Sequence, residues 1–304
     1  MESFLKYVAK DILAKYGNQL AHIAVVFPNK RAALFLNQEL ATIAGKPIWS
    51  PAYITISELF RRHADVQVAD DIRLVCQLHQ VFNQCTNKDE SLDDFYGWGQ
   101  LMLADFDDVD KNMADADKVF ANLKNLHELD DSSYLTEEQK EILKKFFKNF
   151  SEDHQTILKE RFLQLWSHFD DIYHSFNRKL SEQGLAYEGA LYRRVIEQED
   201  LHFQYDMYLF VGFNMMQKVE MRLMDKLQKQ GKAKFYWDFD HYYMSDGNEA
   251  GHYIKSLLNY YPNELPNDDD KIYNCFKTSK NITYYSAPTE TVQARFVTQW
   301  LKEY

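Results

Sequence analysis

The sequence predicts an α/β fold in which helices flank a parallel sheet and a large all-helical segment interrupts the sheet-forming chain. Short apolar runs, several of them rich in β-branched residues, recur along the chain, and amphipathic helical stretches separate them. Strands that alternate with helices are typical of parallel sheets joined by crossover helices. From about residue 70 to 183, in contrast, helical periodicity continues with almost no strand signal.

The first part of the chain begins with two predicted helices and two predicted strands. The run HIAVVF at 22–27 is continuously apolar, as expected for a strand that is buried on both faces. Gly17 and Gly45 follow helical stretches and are suited to ending them. Ser57 is expected to cap the helix after the second strand. In order, the predicted elements are a helix over 2–16, a strand over 22–27, a helix over 30–44 and a strand over 53–56.

The rest of the chain divides into a helical part and a second α/β part. Helical periodicity predicts helices over 71–84, 95–105, 113–129, 136–150 and 153–182. Beyond them we predict strands over 207–211, 234–238 and 282–285, helices over 187–198 and 289–304 and one ending at 229, and a polar loop over 263–271. We therefore expect a discontinuous α/β domain over 1–69 and 185–275, a helical insertion domain over 70–184, and the truncated start of a second domain over 276–304.

The composition excludes several classes of protein. Hydrophobic residues make up 45% and aromatic residues 15% of the 304-residue chain, which is typical of a folded globular protein. No apolar run approaches the roughly 18 residues of a membrane-spanning helix, and the first residues do not resemble a signal peptide. The three cysteines form no C-x-x-C pair, which argues against disulfides and structural zinc and favours the reducing cytoplasm.

The net charge of −11 argues, at first sight, against nucleic acid as a partner. The charge is unevenly distributed, however. Residues 89–138 hold 15 acidic residues and 3 lysines, a net charge of −12, so the remainder of the chain is close to neutral. A basic surface elsewhere is compatible with this pattern. The acidic segment itself is either a solvated helical face or a surface that mates with a basic partner.

The main catalytic sequence motifs are absent. The chain contains no GxxxxGK[ST], no GxGxxG and no GxSxG. The acid-x-Lys spacing of metal-dependent nucleases occurs at 138–140 and 269–271, but in a predicted helix and a predicted loop rather than on a strand. Asp238 and Asp240 follow a predicted strand, where open α/β sheets bind ligands. Together with His241 they form a candidate for an unrecognised enzyme site.

A set of phosphate-binding candidates lies at the ends of the first two predicted strands. Asn29, Lys30 and Arg31 stand between the first strand and the following helix, where amide groups and cations can hold phosphate. The second strand brings Thr55 and Ser57 to the same edge of the sheet. We predict that these five residues contact nucleic acid.

Taken in order, these segments resemble superfamily I helicases, and in particular the AddB-type subunit of bacterial helicase–nuclease complexes. AVVFPNKRAALFL and AYITISELFRR resemble two stretches of such motors that contact single-stranded DNA. WGQLMLADFDDVDKNMADADKVFANL resembles the helical insertion of the first motor domain in AddB and RecB relatives, and ITYYSAPTETVQARFVTQWLKE resembles the opening of the second motor domain. The resemblance implies a degenerate P-loop, RecA-like motor domain that carries a helical insertion.

The resemblance also implies that the hydrolytic residues have been lost. YLFVGFNMMQKVEMRLMDKL falls where these motors carry V-D-E-F-Q-D-T-N-x-x-Q. On this alignment Val211 replaces the magnesium-bridging Asp, and Gly212 replaces the Glu that orients the attacking water. The phosphate loop has no counterpart either, so we expect no ATPase activity and no bound cofactor. A nuclease of the PD-(D/E)XK type, as found in relatives, would lie beyond residue 304.

These observations lead to two functional hypotheses from different classes. The first is a non-hydrolysing module of a double-strand-break repair complex, which binds single-stranded or unwinding DNA beside an AddA-type motor subunit. The alternative is a protein–protein scaffold that docks the motor subunit without contacting DNA. Neither function involves a membrane.

Overall fold

The computed structural model describes residues 2–124, 168–245 and 247–303. Its strands, numbered in chain order, are β1 (Ile23–Phe27), β2 (Ala52–Thr55), β3 (Gln67–Val68), β4 (Leu185–Ala186), β5 (Met207–Val211) and β6 (Ala233–Tyr236). Four of them form a parallel sheet in the order β2-β1-β5-β6. The predicted α/β class with a parallel sheet and flanking helices is thus confirmed.

The helices of the described residues are, in chain order, α1 (Phe4–Tyr16), α2 (Arg31–Ala44), α3 (Ile56–Arg61), α4 (Asp71–Thr86), α5 (Leu92–Lys111), α6 (Ala116–Lys124), α7 (Phe169–Glu182), α8 (Glu188–Glu197), α9 (Lys218–Lys229), α10 (His252–Tyr260), α11 (Asp270–Tyr273) and α12 (Glu290–Glu303). Short 3₁₀ helices lie at Gly17–His22 and Glu249–Gly251. The predicted helix over 136–150 and the acid-x-Lys candidate at 138–140 lie outside the described residues, as do parts of the helices predicted over 113–129 and 153–182.

Both faces of the sheet are covered, which explains the continuous apolar sequence of its central strands. All five residues of β1 are buried. Ala24 and Val26 join one core with residues of α3, α8 and α9, whereas Val25 and Phe27 join a second core with residues of α1 and α2. Successive side chains of a strand point to opposite faces, so an apolar residue is required at every position.

Helices α4 to α7 surround a core of their own, rich in aromatic residues such as Phe106 and Phe176. The two-residue strands β3 and β4 pair in parallel where the chain enters and leaves these helices. Gln67 lies opposite Leu185 and Val68 opposite Ala186. This small ribbon holds the entry and exit points of the helical part next to each other.

One predicted element near the C-terminus is wrong, and another is shorter than predicted. Residues 282–285 do not form a strand, and Ile282 and Tyr284 are 63% and 89% exposed. A strand requires a neighbour for its backbone N–H and C=O groups, and no described strand adjoins this segment. Within the predicted polar loop over 263–271, Asp269 instead caps the short helix α11 by accepting a hydrogen bond from the Lys271 N–H. In the described ranges, no helix combines the length and apolarity required to cross a membrane.

Candidate functional site

The strand order creates a crevice at the carboxyl ends of β1 and β5. From β1 the chain moves outward to β2 and later returns to pair β5 with the other side of β1. Such a switch point is where open α/β sheets bind their ligands, because the connections leave in opposite directions. A cavity of about 340 Å³ lies here, and we call it the strand-end pocket. Its lining consists of Ser3, Phe4, Leu5, Phe27, Pro28, Asn29, Ala32, Val211, Gly212 and Asp238.

The strand-end pocket lies beside the first turns of two helices. The Ser3 hydroxyl caps α1 by accepting a hydrogen bond from the Lys6 N–H at 3.3 Å. The Asn29 Oδ1 accepts one from the Arg31 N–H at 3.1 Å, just before α2. The buried side chains of Phe27 and Val211 form part of the wall. The pocket is therefore mostly apolar, with a small number of polar groups from the helix starts.

Asp238 is the one charged residue among the described residues that line this pocket. Although Asp238 keeps contact with solvent, its partial removal from water raises the pKa of its carboxyl to about 6, and the Asp240 carboxylate adds to the rise. At neutral pH the carboxylate is ionised. The pocket then repels an anion such as a nucleotide phosphate, and no cation in the lining compensates for this repulsion.

The three phosphate-binding candidates that follow β1 are on the surface. Asn29, Lys30 and Arg31 are all exposed. The Lys30 Nζ forms an ion pair with Glu58 Oε1 at 2.6 Å, and its side chain is 78% exposed. A nucleic acid phosphate would therefore compete with Glu58 for Lys30.

The candidate hydroxyls from β2 have structural partners. Thr55, rather than Ser57, caps α3: its hydroxyl accepts a hydrogen bond from the Glu58 N–H, and Glu58 accepts one from the Thr55 N–H. Thr55 is nearly fully buried. The Ser57 hydroxyl donates to Glu188 Oε1 at 3.2 Å. β1 and β2 are neighbours, with Phe27 opposite Thr55, so the predicted residues do meet at one edge of the sheet.

Val211 and Gly212, which the resemblance aligns with two ATPase carboxylates, lie at the end of β5. Val211 is fully buried in the core on the α1 and α2 side of the sheet. Gly212 has a φ of +71°, a conformation that glycine adopts without strain, and its N–H donates to the Tyr236 carbonyl at 3.0 Å. A methyl group at Gly212 would meet no atom within 4 Å. The space beside the Gly212 Cα is open, and positions 211 and 212 themselves carry no carboxylate.

Three exposed apolar side chains near α2 were not among the predicted site residues. Leu34 is 73%, Phe35 56% and Trp49 80% exposed. Residues 32–36 read AALFL, and five consecutive apolar residues on a helix cover more than the face that packs on the sheet. This run of apolar residues was the feature of the sequence from which the exposed apolar side chains on α2 could have been predicted. Phe35 lies one helical turn after Arg31, so an aromatic ring and a cation share one face of α2.

The three residues of the candidate enzyme site, Asp238, Asp240 and His241, have different surroundings in the structure. The Asp240 carboxylate accepts hydrogen bonds from the Tyr242 N–H at 2.9 Å and the Phe276 N–H at 2.7 Å, which fixes the turn after β6. The His241 side chain is exposed. Asp240 therefore has a structural role as an acceptor for two backbone N–H groups, whereas Asp238 lines the strand-end pocket.

A buried polar cluster lies away from the pocket, among α5, α7 and α8. Asp110 is 1% exposed and accepts hydrogen bonds from the Tyr173 hydroxyl at 2.6 Å, the Tyr187 hydroxyl, and Arg193 Nη1 at 3.2 Å. We call these four residues the Asp110 cluster. Burial raises the pKa of the Asp110 carboxyl despite these partners.

A second polar group adjoins the Asp110 cluster. Lys111 donates to Glu188 Oε2 at 3.0 Å and forms an ion pair with Asp107 Oδ2 at 2.7 Å. Burial opposes the charge on Lys111, but hydrogen bonds to these two carboxylates outweigh it and raise the lysine pKa. Because Glu188 also binds Ser57, this group links α5 of the helical part to α3 beside the sheet.

No protein-family model matches the chain, and no curated protein matches it with significant similarity.

Proposed function

We propose that this chain is a non-hydrolysing, helicase-like module of a DNA double-strand-break repair complex. It binds or guides single-stranded or unwinding DNA beside an active AddA-type motor subunit. One observation carries the proposal: residues 27–31 and 211–213 lie at the carboxyl ends of the neighbouring parallel strands β1 and β5, at the switch point of the sheet. This is the arrangement that the resemblance to superfamily I motors requires of a strand that contacts DNA and a strand that once carried the ATPase carboxylates.

The chemistry of the strand-end pocket supports the loss of hydrolysis. Val211 and Gly212 offer no ligand for magnesium and no group that could orient a water molecule. The described lining of the pocket contains Asp238 but not the lysine that a phosphate loop would supply. In this proposal α4 to α7 are the helical insertion of a degenerate RecA-like motor domain.

The surface on α2 supports nucleic acid as the partner. Lys30 and Arg31 supply exposed cations, and Phe35, also exposed, supplies an aromatic face on the same helix. Single-stranded DNA is bound by this combination, in which cations follow the backbone and aromatic rings stack on bases. Because Thr55 is buried and Ser57 half-buried, whereas Asn29, Lys30 and Arg31 are exposed, the latter three are the principal contacts in this proposal.

The test is the affinity for a single-stranded oligonucleotide, measured by fluorescence anisotropy at a series of salt concentrations. Each phosphate contact to a single strand contributes about 0.7 to the slope of log affinity against log salt. The double variant Lys30→Ala/Arg31→Ala should therefore lower the slope by about 1.4 and weaken binding about ten-fold at low salt.

A matched control is the double variant Arg222→Ala/Lys229→Ala, which removes the same two charges from exposed positions on α9. It should leave both the affinity and the salt slope close to those of the unmodified chain. Equal affinities of the unmodified chain and the α2 variant would overturn the proposed DNA surface.

A protein–protein scaffold is the second candidate, and the C-terminal segment favours it. Helix α12 buries none of its residues, and Val297 and Leu301 are 52% and 63% exposed. An apolar helical face of this kind is suited to a protein partner. Co-purification with the motor subunit, combined with the absence of oligonucleotide binding, would favour this function over the first.

A further inference from the structure

A compact group of potential metal ligands lies where α6 meets α7. The His174 Nε2 is 2.7 Å from Asp117 Oδ1 and 3.3 Å from Asp170 Oδ1, and all three atoms lie within 4.8 Å of one another. Asp170 and His174 are four residues apart on α7 and so share one face of that helix. Asp117 faces them from the first turn of α6.

The two helices that carry these ligands are held in place by packing. The Tyr173 ring packs on Phe106 at 5.2 Å and on Phe120 at 5.7 Å between ring centroids, and these aromatic contacts join α5, α6 and α7. Tyr173 also contacts the His174 ring edge-on at 5.2 Å. Asp117 and the α7 ligands therefore approach each other on a supported framework, as a metal site requires.

One oxygen of the Asp170 carboxylate receives no hydrogen bond from the described residues. This oxygen, Oδ1, is sealed from solvent. It lies within ion-pair distance of His174, but without the geometry of a hydrogen bond. The Asp170 side chain as a whole is 35% exposed, and a bound cation would give its shielded oxygen a direct partner.

We propose that Asp117, Asp170 and His174 form a binding site for a divalent transition metal of the Zn²⁺ class. Carboxylate oxygen and imidazole nitrogen bind Zn²⁺ at about 2.0–2.2 Å, which places tetrahedral ligands roughly 3.4 Å apart. The observed 2.7 and 3.3 Å require only small adjustments. The imidazole favours Zn²⁺ over Mg²⁺ or Ca²⁺, which prefer oxygen ligands. Asp117 and His174 are 73% and 50% exposed, so solvent can supply the fourth ligand.

The metal would act as a clamp between α6 and α7. Each carboxylate now contacts the same imidazole nitrogen, which can carry one proton; the metal replaces that proton and binds all three groups at once. This inference does not depend on the proposed DNA function.

The experiment is a calorimetric titration of the chelator-treated full chain with ZnCl₂, accompanied by thermal unfolding with and without Zn²⁺. The unmodified chain should bind one equivalent and unfold at a higher temperature when Zn²⁺ is present. Asp170→Asn and His174→Gln should each weaken binding by at least about ten-fold, since even changes outside the direct ligands cost that much. Circular dichroism establishes that both variants are folded.

The matched control is His22→Gln. His22 also forms an exposed pair with an aspartate, at 3.9 Å from Asp206, but belongs to no group of three ligands among the described residues. This variant should bind Zn²⁺ as the unmodified chain does. If the unmodified chain shows no saturable binding of Zn²⁺, the proposal is wrong. Undiminished binding by Asp170→Asn and His174→Gln would likewise overturn it.

Discussion

The carboxyl edge of the sheet and the Asp110 cluster use charged residues in opposite ways. At the sheet edge, Lys30 and Arg31 are exposed, and the one partner shown for Lys30, Glu58, is itself accessible to solvent. In the Asp110 cluster a carboxylate is removed from water and surrounded by two tyrosine hydroxyls and an arginine. The charged groups at the sheet edge are accessible to a ligand, whereas those of the Asp110 cluster are engaged in hydrogen bonds that stabilise the fold.

This difference changes the interpretation of the acidic segment over 89–138. Asp107 and Asp110 face inward from α5, toward the basic residues Lys111 and Arg193, rather than outward toward a partner. Asp93, Asp94 and Asp108 are exposed. The described part of this segment, residues 89–124, is therefore neither purely a solvated face nor purely a docking surface. Part of its charge joins the helical part of the chain to α8.

The largest expected effect comes from emptying the Asp110 cluster. Asp110→Ala leaves Arg193 and the hydroxyls of Tyr173 and Tyr187 without their shared acceptor, and breaking a buried ionic network costs about 3–5 kcal/mol. Urea denaturation measures this cost. The control Asp108→Ala removes an exposed carboxylate from the same helix and should change stability by no more than about 0.5 kcal/mol. Similar small effects from both variants would show that the Asp110 cluster does not stabilise the packing of α5, α7 and α8.

The next largest effect tests the close approach of α5 and α8. A Cβ added at Gly189 would lie 2.5 Å from the Asp107 carbonyl oxygen, and the Gly189 N–H donates to the Asp107 side chain. Gly189→Ala must push the two helices apart, at a cost of about 1–3 kcal/mol. Gly97→Ala on α5 meets open space and should instead stabilise the chain by up to about 1 kcal/mol. Thermal unfolding of both variants gives the comparison, and a stabilised Gly189→Ala would contradict the packing.

The sequence was most informative where burial is two-sided. The predicted strands over 22–27 and 207–211 agree with β1 and β5 to within one residue, because a strand buried on both faces must be apolar at every position. Topology then brought the candidate residues to one edge. The two-residue strands β3 and β4 were missed because they are too short to show any periodicity.

Other features depended on contacts that no local pattern contains. Ser3, Phe4 and Leu5 line the strand-end pocket through the packing of α1, which their own sequence does not indicate. Asp110 appears in sequence as one of many acidic residues, and only the distant Tyr173, Tyr187 and Arg193 make its burial tolerable. The predicted strand over 282–285 had the correct composition but has no neighbouring strand in the described part of the chain.

A smaller effect is expected at the strand-end pocket, where Asp238 titrates with a pKa of about 6. Because this folded-state pKa lies above the unfolded value of about 3.9, the native state binds the proton more tightly. Asp238 therefore costs stability progressively as the pH rises from about 4 to 6. The free energy of unfolding of Asp238→Asn should equal that of the unmodified chain near pH 4 and exceed it above pH 6. The difference should stay below about 1 kcal/mol, because solvent screens the carboxylate.

Urea denaturation of Asp238→Asn at several pH values measures this difference, and carboxyl NMR gives the pKa directly. Asp268→Asn, an exposed aspartate in the 263–269 loop, provides the control and should show no such crossover. A carboxyl pKa near 4 for Asp238 would mean that the pocket does not shield this residue.

The smallest effect on stability is expected at the surface that we assign to DNA. Lys30→Ala removes an exposed ion pair with Glu58, and such pairs contribute about 0–1 kcal/mol, so the urea midpoint should hardly change. The same substitution should lower the salt dependence of oligonucleotide binding by about 0.7 in slope. Substitution of a binding residue should change the salt dependence of oligonucleotide binding but not the urea midpoint. Substitution of Asp110 should change the urea midpoint but not the salt dependence. If Lys30→Ala instead destabilises the chain by several kcal/mol, the sheet edge is a structural joint like the Asp110 cluster.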